Sequence, residues 1–293
     1  MPAGATVADM AAAGTRRPTN RLALGGLLAL PLMWLVVAYL GSLVVLFTAA
    51  FWHFDALITF QVQKTWSLEN FRALWDQDVY RTVTLRTVGI AAAVTVLDAV
   101  LAFPLAWFMA KFAGQRSRAI LTVAILMPLW SSYLVKVLAW RLLLSDSGVI
   151  AGILEPFGTH GPGFSNTGVW LVMSYIWLPY MILPVYVGFE RLPDALLEAS
   201  GDLGARNWTT FRHVVLPLVF PSLVAGSIFT FSLTLGDYIA VAQIGSGNQF
   251  IGSLVYSDFG TNVPLAAAYA MVPVAIMIVY LLVARRLGAF SSL

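Results

Sequence analysis

Long apolar stretches dominate this sequence. Residues 22–52 form one run with no Asp, Glu, Lys, Arg or His, and a helix needs only about 20 apolar residues to cross the hydrocarbon core of a bilayer. The apolar region of a secretory signal peptide is about 7 to 15 residues long and ends at a cleavage site of small residues. This run is longer and ends at Phe51 and Trp52, so we interpret it as a retained membrane span.

Five further stretches are mostly apolar and carry few ionisable side chains. They are residues 87–110, 119–144, 167–189, 217–244 and 264–284. Charged residues make up only 11% of the chain, whereas soluble domains carry about 25%. The sequence therefore predicts an all-α, polytopic membrane protein with six transmembrane helices.

Lysine and arginine alternate between successive loops. They concentrate before the first span, after the second, after the fourth and after the sixth, at Arg16, Arg17, Arg21, Lys111, Arg116, Arg118, Arg191, Arg206, Arg212, Arg285 and Arg286. The positive-inside rule places such segments in the cytoplasm. We therefore predict two cytoplasmic termini, with residues 1–21 as an N-terminal tail and residues 22–293 as the transmembrane domain.

Several classes of site are not supported by the sequence. The chain has no cysteine, which excludes disulfides and thiolate metal ligands. Its net charge of +3 is too small and too dispersed for a nucleic-acid surface. The three histidines show no metal-ligand spacing. No Gly-x-x-x-x-Gly-Lys-Ser/Thr phosphate loop occurs, so we expect no ATP site and no cofactor in this chain.

The loop at residues 190–216 has the pattern of two short amphipathic helices. Pro193 and Asp194 are typical of a helix start, and Gly204 is typical of a helix end. Asn207 is predicted to cap the second helix, and Pro217 opens the fifth span. Such a hairpin is suited to docking in a groove of another protein; the alternative is a connector that lies on the membrane surface without a partner.

A sequence motif in this loop resembles that of a known family. Residues 198–204 read Glu-Ala-Ser-Gly-Asp-Leu-Gly and, nine residues later, residues 214–217 read Val-Val-Leu-Pro. This is similar to the signature of bacterial ABC importer permeases: Glu-Ala-Ala, three residues, Gly, nine residues, Ile-x-Leu-Pro. Ser200 and Val214 are the two departures. The resemblance implies that residues 190–216 are a cytoplasmic coupling loop, with coupling to the ATPase by Glu198, Ala199, Ser200, Gly204, Leu216 and Pro217.

The same resemblance implies a set of partners. A permease of this family pairs with a second, homologous permease subunit, here expected as a heterodimer, in the bacterial cytoplasmic (inner) membrane among membrane lipids. Two separate ATP-binding subunits use ATP and Mg²⁺, and an extracytoplasmic solute-binding protein delivers the cargo. The chain itself is then a transport subunit rather than an enzyme. Its helices move by alternating access around a route near the middle of the membrane.

Three stretches resemble the spermidine/putrescine branch of these permeases. They are residues 66–71, 128–136 and 235–238, and they imply a polyamine cargo. Ferric iron and aminoethylphosphonate importers have related permeases, so these cargoes remain alternatives. A stand-alone channel or a membrane enzyme is a further alternative, although the few titratable residues are scattered along the chain and a channel needs no docking loop.

Two carboxylates inside predicted spans, Asp98 and Asp237, are candidates for the cargo path because intramembrane acids usually face a bundle interior or a wet cavity. Aromatic faces can bind a protonated amine by cation-π attraction, and candidates near the same spans are Trp130, Tyr133, Trp177, Tyr180 and Tyr238. The alternatives are structural. Asp237 can bond a backbone amide or a hydroxyl, Asp98 can be neutralised by Lys136 or Arg86, and the aromatic residues can serve packing or the membrane interface.

Overall fold

In the computed structural model the described residues are 21–55, 61–159 and 161–286, so residues 1–20 of the predicted tail, and His160, lie outside them. The chain divides into two units, Met1–Thr48 and Ala49–Leu293. The described helices are α1 (Arg21–Trp34), α2 (Gly41–Ala49), α3 (Glu69–Asp76), α4 (Asp78–Lys111), α5 (Gln115–Trp130), α6 (Tyr133–Leu144), α7 (Val149–Leu154), α8 (Asn166–Glu190), α9 (Asp194–Asp202), α10 (Asn207–Thr210), α11 (Leu216–Gly236), α12 (Ile239–Ile244), α13 (Ile251–Phe259) and α14 (Val263–Arg286).

Six segments of the described chain are helical, long and apolar enough to cross a membrane, which confirms the predicted number. They are Leu28–Ala49, Asp78–Lys111, Tyr133–Leu154, Asn166–Glu190, Asn207–Gly236 and Val263–Arg286. The cytoplasmic location of both termini and the domain boundary at residues 21 and 22 stay predictions.

In the first unit, α1 leads through a π-helical segment, Leu35–Leu40, into α2. The second unit begins at Ala49 and continues into a short antiparallel hairpin formed by strands β1 (His53–Asp55) and β2 (Gln61–Gln63). This hairpin is a small addition to an otherwise helical chain.

A latch of side chains joins α3 to residues 50–52. The amide group of Asn70, which is buried, donates to the carbonyl oxygens of Ala50 and Trp52, each at 2.8 Å. The Phe51 ring contacts the Phe71 ring with 5.1 Å between centroids. We call these residues, together with Trp66, whose ring also contacts Phe51, the Asn70 latch. It provides a hydrogen-bond donor to each of these two carbonyl groups.

The core of the second unit is built from α4, α8 and α11, which pack against one another. Two glycines allow α8 and α11 to approach closely. A Cβ atom at Gly188 would lie 2.4 Å from the Ser222 hydroxyl oxygen, and one at Gly226 would lie 2.7 Å from the Met181 sulfur. Small residues at such crossings are typical of helix packing in membranes, where van der Waals contact replaces the hydrophobic effect as the attraction between helices.

The third predicted span, residues 119–144, is not one continuous helix. The helix breaks at Ser131 and Ser132, whose backbone is extended (ψ 148° and 135°). The Ser131 hydroxyl (2.9 Å) and the Lys136 ammonium group (3.0 Å) both donate to the carbonyl oxygen of Pro128. These side chains replace a missing helical donor, which is how a membrane protein tolerates a break in a helix. The candidate span begins at Tyr133 instead and extends to Leu154.

The fifth predicted span, residues 217–244, is also interrupted. Helix α11 ends at Gly236, Asp237 is extended (ψ 122°), and α12 begins at Ile239. The two interruptions bring Tyr133 and Asp237 together, as described below.

Candidate coupling surface and cargo cavity

Helix α9 lies on the surface of the second unit and contains no buried residue. The Leu196 and Leu203 side chains are 43% and 89% exposed, and Trp208 in the following helix is 68% exposed. Glu198 and Ala199 are also exposed. Three large apolar side chains next to an exposed acid form a surface that the chain itself does not cover.

The end of α9 has the geometry predicted from Gly204. This glycine has a φ of +76°, its N–H donates to the carbonyl of Gly201 (2.8 Å), and the N–H of Ala205 donates to the carbonyl of Ser200 (3.1 Å). This pair of bonds is a Schellman motif. A Cβ atom at Gly204 would meet nothing within 4 Å, so the backbone conformation, rather than lack of space, favours glycine here.

Contacts at both ends hold α9 against the rest of the chain. The Lys111 ammonium group at the end of α4 donates to the Leu192 carbonyl (2.7 Å) and to the Asp194 carboxylate (2.6 Å). The Ser200 hydroxyl, half-buried on the inner face of α9, lies 2.8 Å from the Thr210 hydroxyl. Sequence reasoning missed Lys111. The available signal was a basic residue ending the second span and an acid starting the loop, both on the same predicted side of the membrane.

The second helix of the predicted hairpin is not a separate element. Helix α10 continues through a π-helical segment, Phe211–Val215, directly into α11, so Asn207–Gly236 is one helical span. The prediction of two short helices is therefore wrong for the second one. Asn207 is its first residue, and Arg206 is the capping residue, because the chain becomes helical one residue earlier than a cap at Asn207 requires. Leu216 and Pro217 lie inside this continuous helix.

Four of the seven predicted path residues line one cavity of about 330 Å³: Tyr133, Trp177, Asp237 and Tyr238. The Tyr133 hydroxyl donates to Oδ2 of Asp237, and the N–H of Ala240 donates to Oδ1 at 3.1 Å. The structural alternative for Asp237, a backbone amide or a hydroxyl as partner, is thus confirmed, and the same carboxylate still borders the cavity.

The aromatic residues of the cavity are in ring contact. The rings of Tyr133 and Trp177 stack with 5.8 Å between centroids and 17° between planes. Tyr180 contacts Trp177 at 5.9 Å but is not among the residues lining the cavity. Tyr238 stacks on Tyr256 at 4.8 Å. The cavity therefore has one carboxylate beside several aromatic faces.

Trp130 and Asp98 lie elsewhere. Trp130 ends α5, is 89% exposed, and is not among the residues that line this cavity. Asp98 on α4 is fully buried and faces the Ser174 hydroxyl on α8.

The alternative in which Lys136 or Arg86 neutralises Asp98 is not supported by the structure. The Lys136 ammonium group bonds the Pro128 carbonyl, and the Arg86 guanidinium bonds the Gln249 carbonyl at 3.3 Å. Each cation bonds a carbonyl oxygen, and neither forms an ion pair with the buried acid. Sequence reasoning also missed Ser174, which has no distinguishing feature within its apolar stretch.

Comparison with known proteins agrees with this fold and with the motif in the loop. Residues 102–290 match the family model described as "Binding-protein-dependent transport system inner membrane component". The inner membrane ABC transporter permease protein YdcU of Escherichia coli K12 is 45% identical over 280 residues, covering 90% of this chain and 89% of that protein. The spermidine/putrescine transport system permease protein PotB of Escherichia coli K12 is 30% identical over 262 residues, covering 86% and 93%.

The fold also matches a solved structure. In a crystal structure of a bacterial alginate ABC transporter in complex with alginate pentasaccharide-bound periplasmic protein, one chain superposes with a TM-score of 0.72 at 15% identity, covering 91% of this chain and 94% of that chain. Together with the match over residues 102–290, this confirms the family resemblance of the coupling motif. The chain belongs to the binding-protein-dependent transport system inner membrane components and is a multi-pass ABC transporter permease subunit, not itself an enzyme.

Proposed function

We propose that this permease admits a polyamine, such as spermidine or putrescine, across the bacterial cytoplasmic (inner) membrane by alternating access. It acts with a second homologous permease subunit, two ATP-binding subunits that use ATP and Mg²⁺, and an extracytoplasmic solute-binding protein. The printed name of the PotB relative supports the cargo, and the family description supports dependence on a binding protein.

The observation that carries the proposal is the uncovered surface of α9. Leu196, Leu203 and Trp208 are exposed in a loop predicted to lie in the cytoplasm, where water does not favour apolar side chains. Exposed apolar groups next to charged ones mark protein interaction sites, and a short helix with such a face fits a groove in a partner. The ATP-binding subunit is the proposed partner.

The same region has a direct mechanical connection to the cavity. The helical span Asn207–Gly236 has 30 residues, which at 1.5 Å per residue is about 45 Å. Its first turn contacts α9 through Thr210 and Ser200, and its last residue precedes Asp237. Movement of α9 by an ATP-binding subunit would therefore reach the cavity along one continuous helix.

The chemistry of the cavity favours a cationic cargo over an anionic one. Among the described residues that line it, Asp237 is the one charged side chain, and there is no basic one. A protonated amine gains attraction from the carboxylate and about 0.5 to 2 kcal/mol from an aromatic face. An anion such as a phosphonate would meet the carboxylate without a compensating cation.

The cargo is tested by ligand binding to the partner solute-binding protein and by uptake into proteoliposomes containing the whole transporter. We expect binding of spermidine or putrescine, and competition of uptake by polyamines but not by aminoethylphosphonate or ferric iron. A preference for either of the latter would overturn the polyamine cargo while leaving the family assignment intact.

The coupling surface is tested by reversing the charge of Glu198. We expect Glu198→Arg to abolish uptake and to lower retention of the ATP-binding subunit during purification, while the amount of permease in the membrane stays unchanged. Asp76→Arg is the control, because Asp76 is also an exposed acid, at the end of α3 and outside the coupling loop. Normal uptake by the Glu198→Arg transporter would contradict docking at α9.

A further inference from the structure

A row of aromatic rings leads away from the cargo cavity. The Trp177 ring, which lines the cavity, contacts the Tyr180 ring with 5.9 Å between centroids. The Tyr180 ring in turn contacts Phe229 of α11 at 6.5 Å. Tyr180 is a predicted path residue outside the cavity, and sequence reasoning missed Phe229. We call Tyr180 and Phe229 the aromatic pair.

Phe229 lies on the face of α11 that borders the cavity. Ser232, Leu233 and Gly236 line the cavity, and they follow Phe229 by three, four and seven residues, which is the spacing of one helix face. The Phe229 side chain is 51% exposed, and a Cβ atom at Gly236 would meet nothing within 4 Å. The chain itself therefore leaves this face open at Phe229 and again beside Asp237.

The distance between the aromatic pair and Asp237 suits a long amine. Phe229 precedes the last residue of α11 by seven residues, or about 10 Å along the helix axis, and Asp237 follows directly. An extended chain advances about 1.2 Å per bond, because three bonds of extended backbone span about 3.3 to 3.6 Å. The nine bonds between the terminal nitrogens of spermidine give about 11 Å, and the five bonds of putrescine give about 6 Å. Spermidine can therefore reach both places at once, whereas putrescine cannot.

Aromatic rings can hold a protonated amine without a second acid. An ammonium group within about 6 Å of a ring centroid is attracted to the face of the ring, and the exposed Phe229 ring, with Tyr180 beside it, offers such a face. Among the described residues that line the cavity, Asp237 is the one carboxylate. A second ammonium group of the same cargo needs another kind of partner in this chain, and the aromatic pair provides one.

We propose that Tyr180 and Phe229 form a second amine subsite, which acts together with Asp237 to favour spermidine over putrescine. Asp237 binds one terminal ammonium group of spermidine, and the aromatic pair binds the other. Along α11 the subsite lies between the cavity and the end of the helical span that contacts α9. This inference rests on the proposed cationic cargo, because the faces of aromatic rings do not attract an anion.

The subsite is tested by the affinity of the purified, intact transporter for radiolabelled spermidine and putrescine, without the solute-binding protein. We expect Phe229→Leu to weaken spermidine binding roughly two- to thirtyfold, which corresponds to the loss of one cation-π contact, and to leave putrescine binding unchanged. Phe229→Tyr keeps an aromatic face and should bind spermidine as the wild type does. Phe108→Leu is the control, because Phe108 of α4 is similarly exposed (46%) and lies outside the aromatic row.

The subsite would be overturned if Phe229→Leu bound spermidine as tightly as Phe108→Leu does, or if it lost affinity for both polyamines equally. Loss of the second permease subunit from the purified Phe229→Leu transporter would also overturn it, because Phe229 would then pack between subunits. So would a wild-type transporter that takes up spermidine but does not bind it in this assay. Failure of the polyamine cargo is recognised separately, by wild-type proteoliposomes that take up neither polyamine in the presence of the solute-binding protein; the subsite then fails with it.

Discussion

The Asp237 carboxylate has both oxygens engaged within the chain while it borders the cavity. Tyr133 and the Ala240 amide each donate one hydrogen bond to it, and its residue exposure is 8%. An ionised carboxylate offers about four acceptor positions, so these internal donors do not use all of them and an ammonium group could still bind. The internal bonds fix the direction of the carboxylate, which would reduce the entropy lost if a cargo bound there.

Asp237→Asn removes the charge and keeps the shape. We expect the polyamine concentration for half-maximal uptake to rise roughly ten- to hundredfold, because a hydrogen bond to a charged group is worth about 1.5 to 3 kcal/mol. Ser232→Ala is the control, since Ser232 lines the same cavity but donates to its own helix at Phe229. Concentration-dependent uptake into proteoliposomes measures both; equal behaviour of the two variants would argue against a cargo contact at Asp237.

At the scale of the element, the end of α9 depends on one backbone conformation. Gly204→Ala places a side chain at positive φ, which costs roughly 1 to 2 kcal/mol. Gly201 lies inside helix α9, and a Cβ atom there would meet no other atom within 4 Å. Gly201→Ala should therefore stabilise α9 by about 0.5 to 1 kcal/mol. Hydrogen exchange of the α9 amides should be faster in the first variant and slower in the second. The same change in both would show that φ at residue 204 does not control the helix end.

The continuous helix from Asn207 to Gly236 provides a second test. Arg212 lies inside the helix, where a proline costs about 3 kcal/mol or more. We expect Arg212→Pro to stop uptake while the ATP-binding subunit still co-purifies with the permease. Asn207→Pro lies at the first helical residue, where proline is tolerated, and the residue before it is already extended (ψ 154°). We expect this variant to transport. Equal uptake by the two would exclude a mechanical role for helix continuity.

Local signals predicted some elements well and others poorly. Pro193 and Gly204 bound α9 because capping depends on the residue itself and its immediate neighbours. The breaks at Ser131 and Asp237 were not predicted. The break at Asp237 is stabilised by the hydroxyl of Tyr133, 104 residues away in the chain, and the break at Ser131 by bonds to the Pro128 carbonyl from side chains that hydropathy does not single out. Hydrophobic length alone cannot distinguish an interrupted span from a continuous one.

At the scale of the whole molecule, the absence of cysteine makes the predicted orientation easy to measure. Arg116 and Gln63 are both exposed, and they lie in segments predicted to be on opposite sides of the membrane. Each is replaced singly by cysteine, as Arg116→Cys and Gln63→Cys. In intact spheroplasts, a membrane-impermeant thiol reagent should label Gln63→Cys and should label Arg116→Cys only after lysis. Labelling of Arg116→Cys before lysis would reverse the predicted topology.

The candidate site combines residues from distant parts of the chain. Charge and aromatic character selected Asp237, Tyr133, Trp177 and Tyr238 from the sequence, and the fold brings these four to one cavity. The same criteria selected Trp130, which is on the surface, because residue type does not specify the direction of a side chain. Ser174 became visible only when its burial opposite Asp98 was known.

The Asn70 latch has a consequence for how permeases of this kind can diversify. It occupies one of the three stretches that resemble the polyamine branch, yet it shares no residue with the cavity, and its bonds run to the backbone of residues 50–52. If Asp237 contacts the cargo as proposed, the fastening of α3 and the choice of cargo depend on separate residues. Substitutions around Asp237 could then change the cargo without weakening the hydrogen bonds of Asn70.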